Sequence, residues 1–379
     1  MSKKHRLIWG ILRPPVGLFM KVFYGYRYEL AKNLPENYIV LSNHTTDFDP
    51  VLVGLAFKKQ MYLVASEHIT RWGFPYKLLK FAFEPIIRYK ATVATSTVLD
   101  ILRKVRKGER VCMFAEGVKS WDGTTCAMFP ATAQMIKKSG CALVTFKLTG
   151  GYFVSPAWGK GLRKGKWQGA PVNIYTKEQL AEMSYDEIEK AITEDLYEDA
   201  YERQSKEMNK YKGKNTAEGL ENLLWLCPEC HSEDKLITKG NRVICTHCNK
   251  EFTYNRYAML DDCKYKTLTE YSEWQRSVLA DFIEGNRSMS CDGVKAQTIT
   301  KESSELICEG KVTFTPVSVC IGGEELFFEK FTDLAIHGKH ALVFECEKKY
   351  YELIFPEGVS TFKFLIYYKT AIKQKERLG

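Results

Sequence analysis

Ser42-Asn43-His44-Thr45-Thr46-Asp47-Phe48-Asp49-Pro50 places a histidine at the end of one segment and a carboxylate five residues later, at the start of another. Upstream, Tyr38-Ile39-Val40-Leu41 is apolar, β-branched and of strand length. Downstream, Pro50 suits the first turn of a helix and Asp49 its N-cap, ahead of the apolar Val51, Leu52, Val53, Leu55, Ala56 and Phe57. An imidazole there can take a proton from an alcohol while the nearby carboxylate fixes its tautomer and steadies the imidazolium. The same residues also read as a capped helix beside an incidental loop histidine. This segment alone leaves the two readings level.

Two further segments tip the balance. Arg110-Val111-Cys112-Met113-Phe114 is a short apolar strand that runs into Ala115-Glu116-Gly117-Val118-Lys119-Ser120. Between it and the histidine lies Glu84-Pro85-Ile86-Ile87-Arg88-Tyr89-Lys90, a strand with an arginine at its end. In this order the segments resemble the glycerolipid acyltransferase family, whose best-known members acylate lysophosphatidic acid (1-acylglycerol-3-phosphate). His44 and Asp49 fit its first motif without a gap. Phe114 to Ser120 stands where the family usually has Phe-Pro-Glu-Gly-Thr-Arg-Ser, and Arg88 matches the arginine of its second motif. Ala142-Leu143-Val144-Thr145-Phe146 is a loose echo of the fourth. The resemblance covers roughly the first half of the chain. Three departures stand out: Lys119 for arginine keeps the charge but loses the bidentate fork, Val118 removes a hydroxyl, and Ala115 removes a rigid turn.

The resemblance implies an α/β acyltransferase domain that moves a fatty acyl group from acyl-CoA or acyl-carrier protein to the free hydroxyl of a lysophospholipid. The leading acceptor is 1-acylglycerol-3-phosphate, in phospholipid biosynthesis. His44 would be the general base and Asp49 its orienting partner. Arg88, Glu116, Gly117, Lys119 and Ser120 would bind the acceptor, with the basic run Lys160, Arg163, Lys164 and Lys166 as further phosphate candidates. Backbone amides near the helix start or the Glu116-Gly117 turn would meet the oxyanion. No covalent intermediate is needed, and no Gly-x-Ser-x-Gly elbow is present.

With 379 residues and 45% apolar content, the chain has material for a large core and more than one domain. The net charge of +9 hides an asymmetry. Residues 1–175 hold 27 Lys/Arg against 10 Asp/Glu, and the remainder 28 against 36. A basic first half calls for an anionic partner: a phosphorylated ligand, an anionic membrane or nucleic acid. Residues 1–30 are basic at the start, then apolar and aromatic, with Pro14-Pro15, Arg13 and Lys21 interrupting. No signal-peptide cleavage site follows, and the apolar run falls short of the roughly 20 residues that span a bilayer. Trp9, Ile11, Leu12, Leu18, Phe19, Phe23 and Tyr24 among basic residues suggest a broken helix lying in the membrane interface. A helical hairpin packed on the core is the competing reading, and one face packing while the other meets lipid satisfies both. The expected location is the cytoplasm, peripherally on the inner face of the cell membrane.

Cys227-Pro228-Glu229-Cys230 and Cys245-Thr246-His247-Cys248 form two Cys-x-x-Cys knuckles, the spacing of a structural zinc ribbon. Lys235-Leu236-Ile237 and Arg242-Val243-Ile244 would supply its hairpin. The other eight cysteines are scattered without a pairing pattern, the usage of a reducing compartment. The expected organisation is a helical segment over 1–30, the α/β domain over 31–212 and the ribbon over 220–260. A helical connector over 261–288 and a β-rich domain over 289–379 follow. Helices are expected over 91–107 and 130–138, and C-terminal strands at 311–314, 317–320, 325–328, 342–345 and 350–354. With a final helix around 361–375, that last region resembles a pleckstrin-homology-like barrel. Two other function classes stay open: a non-catalytic lipid- or membrane-binding protein on the same scaffold, and, ranked last, a zinc-ribbon nucleic-acid-binding protein. No basic and aromatic stripe surrounds the ribbon, so nucleic acid is not expected.

Overall fold

A parallel sheet buries its strands on both faces, so they read as continuous apolar runs rather than alternating ones. That is the pattern of the first half. A computed structural model describes residues 3–89, 95–129, 131–300 and 303–378. It divides into two compact units, 3–89 with 95–157 and 161–213, and 158–160 with 214–378. The first holds seven strands: β1 (Tyr26–Tyr28), β2 (Tyr38–Ser42), β3 (Tyr62–Ser66), β4 (Ile86–Arg88), β5 (Val111–Phe114), β6 (Ala142–Thr149) and β7 (Trp167–Tyr175). Their order across the sheet is β1-β7-β6-β2-β5-β3-β4. From β6 to β4 every pairing is parallel, and only β7 runs antiparallel to β6. Every residue of the central strands β2 and β5 is buried.

Helices Asp49–Leu55, Phe74–Phe83, Thr95–Arg106 and Ala131–Ser139 connect the strands. The expected starts at residues 91 and 130 fall outside the described residues. The acidic stretch after β7 forms helices Lys177–Glu182, Tyr185–Leu196 and Ala200–Glu207. Capping boxes start the first two, with Thr176 and Gln179 in one and Ser184 and Glu187 in the other.

The N-terminal segment is not broken at Pro14-Pro15, as the sequence suggested. Lys3–Phe19 is one helix and continues as a π-type turn over Met20–Tyr24 until Gly25, in the left-handed conformation, ends it. The 22 residues are long and apolar enough, by length and composition, to cross a membrane. One side packs: Trp9 is buried against Phe83, their rings 5.6 Å apart, and lies so close to Gly54 that a Cβ there would sit 3.1 Å from its ring. The other side exposes Leu7, Ile11, Leu18, Phe19, Val22 and Phe23. Helix Phe74–Phe83 likewise exposes Phe74, Leu78 and Phe81.

In the second unit, Leu236–Lys239, Arg242–Cys245, Glu251–Tyr254 and Leu260–Asp261 form a four-stranded antiparallel sheet around the cysteine knuckles. Helix Leu268–Glu284 follows. The C-terminal region is a seven-stranded antiparallel sheet closed by helix Thr361–Leu378. Two of its strands, Met289–Ile299 and Phe331–His337, were not among those expected. Both carry register shifts, after Cys291 and after Phe331, which break the period-two alternation that reveals a strand.

The first knuckle is tied to helix Thr361–Leu378 by an ion pair. The Lys363 ammonium, buried between the rings of Trp225 and Phe364, meets the Asp234 carboxylate. Removing one partner of a buried pair strands the other charge. Asp234→Ala should therefore lower the unfolding free energy by about 2 kcal/mol, less than for a fully buried pair because the Asp234 side chain is 30% exposed. Adding Lys363→Met should recover much of that loss in denaturant titrations of the full chain.

Candidate active site

In a parallel sheet the carboxyl ends of the strands share one edge, and loops leaving that edge meet. His44 follows β2, Glu116 follows β5, Arg88 ends β4 and Leu148 lies near the end of β6. Asn43 clips two of these ends together. Its side-chain amide donates to the Leu148 carbonyl at 2.8 Å, and its side-chain oxygen accepts the Leu148 N–H at 2.7 Å. The side chain imitates a peptide and extends the β2–β6 ladder beyond the last strand residue. The sequence reading passed over Asn43, although a buried asparagine between strand and site is a recognisable signal.

Asp49 is fully buried, and it does not cap its helix as expected. The N-cap is Phe48, and Asp49 is the first helical residue. Its carboxylate turns back onto the preceding loop, accepting the N–H of Thr45 at 2.6 Å, the N–H of Thr46 at 2.8 Å and the Thr46 hydroxyl at 2.6 Å. The His44 ring adds a further bond, Nδ1 to Oδ2 at 2.9 Å. A carboxylate only accepts, so Nδ1 carries the proton and Nε2 carries the lone pair. The imidazole also stacks on Phe114, with ring centroids 4.4 Å apart. The oxyanion donors expected at this helix start are already used: the Thr45 and Thr46 amides by Asp49, the Phe48 amide by Thr46 Oγ1 and the Asp49 amide by the Thr46 carbonyl.

Glu116 is buried, and both its oxygens are occupied. Oε1 accepts the His44 N–H at 2.7 Å and Oε2 accepts the Cys126 N–H at 2.6 Å. It braces the histidine loop from below, where the sequence suggested an acceptor ligand. Ser120 is also buried. Its N–H donates to the His44 carbonyl at 3.0 Å and its hydroxyl accepts the Gly123 N–H at 3.0 Å, so it shapes the turn. Gly117 has φ +66°, and a Cβ there would fall 2.1 Å from the Phe129 ring and 3.1 Å from Arg88 Nη1. Only glycine lets the Arg88 guanidinium lie over Phe129, 4.0 Å from its centroid. Lys119 donates to both oxygens of Asp47, at 2.9 and 2.8 Å. Within the basic run, Arg163 is buried and bonded to the Phe153 carbonyl, while Lys166 pairs with Glu207. His44, Asp49, Glu116, Gly117, Ser120 and Lys119 thus come together, with Arg88 beside Gly117.

The four cysteines of the second unit bring their sulfurs within 4.8 Å of one another. The Cys227–Cys248 and Cys230–Cys245 separations are 3.7 and 3.8 Å. Zinc–sulfur bonds of about 2.3 Å in a tetrahedron require edges near 3.8 Å, so the thiols fit such an ion. The two knuckles match in backbone: His231 N–H donates to the Cys227 carbonyl and Asn249 N–H to the Cys245 carbonyl, and both residues have positive φ.

Burial, with the Asp49 charge adding to it, lifts the Glu116 carboxyl from its ordinary range to about 8, against the pull of its two N–H donors. The folded chain then keeps a proton that the unfolded chain releases above about pH 4.5. This group's stabilising contribution is full below that value and is lost as pH rises towards 8. Stability measured across pH 4.5–8 should fall through Glu116, and Glu116→Gln should flatten that slope. An unchanged slope in the variant would assign the effect elsewhere.

No curated protein sequence matches the chain. Among solved structures it is similar to the crystal structure of the 1-acyl-sn-glycerophosphate (LPA) acyltransferase PlsC from Thermotoga maritima. The identity is 19%, over 50% of this chain and 76% of that one, with a TM-score of 0.42. Residues 26–149, from β1 to the end of β6, match the family described as Acyltransferase, and they make the core of this first unit an acyltransferase-like α/β domain.

Proposed function

We propose that the protein is an O-acyltransferase that moves a fatty acyl group from a thioester donor, acyl-CoA or acyl-carrier protein, to the free hydroxyl of a lysophospholipid. The observation that carries this reading is the 2.9 Å bond between His44 Nδ1 and the buried Asp49 carboxylate, at the strand-end edge of the domain matched to the Acyltransferase family. Nε2 of His44 removes the acceptor hydroxyl proton as that oxygen attacks the thioester carbonyl. The tetrahedral adduct collapses, the carbon–sulfur bond breaks, and the departing thiolate takes the proton back from His44. Asp49 holds the ring in the needed tautomer throughout and balances the imidazolium charge. Lys119 and Arg88 are the cations assigned to the acceptor's phosphate group.

The reading extends to location and metal. The exposed apolar side chains of helices Lys3–Phe19 and Phe74–Phe83 support a peripheral seat on the inner, cytoplasmic face of the cell membrane. Lys4, Arg6, Arg13, Lys21, Lys77 and Lys80 set among them suit anionic lipid. Cys227, Cys230, Cys245 and Cys248 hold a structural zinc ion in a ribbon, and the antiparallel C-terminal sheet with its closing helix is taken as pleckstrin-homology-like.

Three outcomes are expected. Purified protein with detergent-dispersed lysophospholipid should form diacyl product from one of the two thioester donors, and His44→Ala should cut the rate by about 10²–10⁴-fold. Turnover that survives the substitution would remove the mechanism. Leu7→Glu with Ile11→Glu should lower partitioning onto anionic vesicles at least about tenfold in a sedimentation assay. Metal analysis should find one zinc per chain, and a strong chelator should lower the thermal midpoint by destabilising the second unit.

A further inference from the structure

The matched region ends at residue 149, and two helices beyond it, Tyr185–Leu196 and Ala200–Glu207, are joined by Tyr197, Glu198 and Asp199. This short junction carries a buried carboxylate. The Glu198 side chain is 7% exposed, and a carboxylate withdrawn from water has to be matched by donors. Arg203, one turn into the second helix, supplies them as a fork: Nε donates to Oε1 and Nη2 to Oε2, each at 2.7 Å. Glu207 lies 3.9 Å from the remaining guanidinium nitrogen, so the arginine is held from two sides. With its side chain tied down, the Glu198 backbone grips a segment 73 residues earlier. Its N–H donates to Thr125 Oγ1 at 2.8 Å, and its carbonyl accepts the Thr125 N–H at 2.9 Å. Two residues on, the Ala200 N–H donates to the Gly123 carbonyl at 2.9 Å.

Residues 123–126 are in turn what the His44 loop rests on. The Cys126 N–H donates to Glu116 Oε2, and Glu116 Oε1 accepts the His44 N–H. The Gly123 N–H donates to the Ser120 hydroxyl, and the Ser120 N–H donates to the His44 carbonyl. One route ends on the peptide before His44 and the other on the peptide after it. A histidine with both flanking peptides fixed keeps only its side-chain torsions, and the bond to Asp49 settles those. Glu198 and Ala200 also line one small cavity with His44, Thr45 and Glu116. We infer that Glu198 and Arg203 are positioning residues for His44: their forked pair sets the 197–199 junction, the junction sets residues 123–126, and that segment sets both peptides of the histidine. They act through Thr125, Cys126 and Glu116, not on the ring itself. The inference rests on the acyl-transfer reading only for its effect on turnover.

The test uses the full-length protein, with amide hydrogen exchange read residue by residue by NMR and acyl-transfer kinetics in parallel. In Arg203→Ala the His44 N–H should exchange at least about tenfold faster than in the wild type, while Val40 and Cys112, mid-strand in β2 and β5, keep their protection. In the same variant kcat should fall about ten- to a hundredfold with KM for donor and acceptor nearly unchanged, because the base is misplaced and the binding surfaces are not. Arg203→Lys keeps the charge but loses the fork, so it should fall between the two. Thr125→Val leaves the ion pair whole and removes the Oγ1 acceptor, and it should loosen His44 in the same way. That variant carries the test if Arg203→Ala does not fold. Faster exchange spread evenly through the sheet, unchanged exchange at His44 in a folded variant, or a raised KM with kcat kept would overturn the inference. A loosened His44 amide in the variants of a protein whose wild type acylates no lysophospholipid would uphold the positioning role and remove the acyl-transfer reading.

Discussion

A carboxylate buried in a protein interior has to be met by donors, or it is expelled or neutralised. Asp49 is met by five within the preceding five residues: two amides, two hydroxyls and one imidazole. That requirement folds the loop from His44 to Phe48 into one shape. It also fixes the ring of His44, because the donor facing the carboxylate has to be Nδ1. The tautomer of the ring and the shape of the loop depend on the same oxygen atoms, so a change at Asp49 would act on both.

The rest of the first unit delivers partners to that loop from far along the chain. Asn43 joins it to β6 across 105 residues, and Glu116 and Lys119 reach it across 72 residues each. Parallel pairing makes this convergence unavoidable, since each crossover returns the chain to the same edge. The residues supplying the contacts are not interchangeable. Glu116 and Ser120 hold the backbone of the loop, whereas Asp47 and Lys119 stay at its rim.

Much of this was legible in the residues. The five-residue interval between His44 and Asp49, the apolar runs of β2 and β5, and the Glu116-Gly117 turn are local patterns. The paired cysteine knuckles are equally local. What the sequence hid was direction. Asp49 has the composition of an N-cap, and only tertiary placement shows its carboxylate pointing backwards onto Thr45 and Thr46. Pro14-Pro15 looks like a break, yet the helix continues through it, with Arg13 Nε bonded to the Leu55 carbonyl and Trp9 seated on Gly54. The Lys119–Asp47 pair is invisible for a different reason: nothing in either segment specifies the other. Strands Met289–Ile299 and Phe331–His337 were missed because bulges reset their alternation.

Glu116 shows why a motif residue and its task have to be read separately. Resemblance assigns it to the acceptor, but a ligand-binding carboxylate needs an oxygen left for the ligand. Both of its oxygens are spent on backbone amides, and its burial holds a proton up to about pH 8. What the resemblance assigns to a ligand, the fold spends on the His44 loop, whose backbone Glu116 and Ser120 hold.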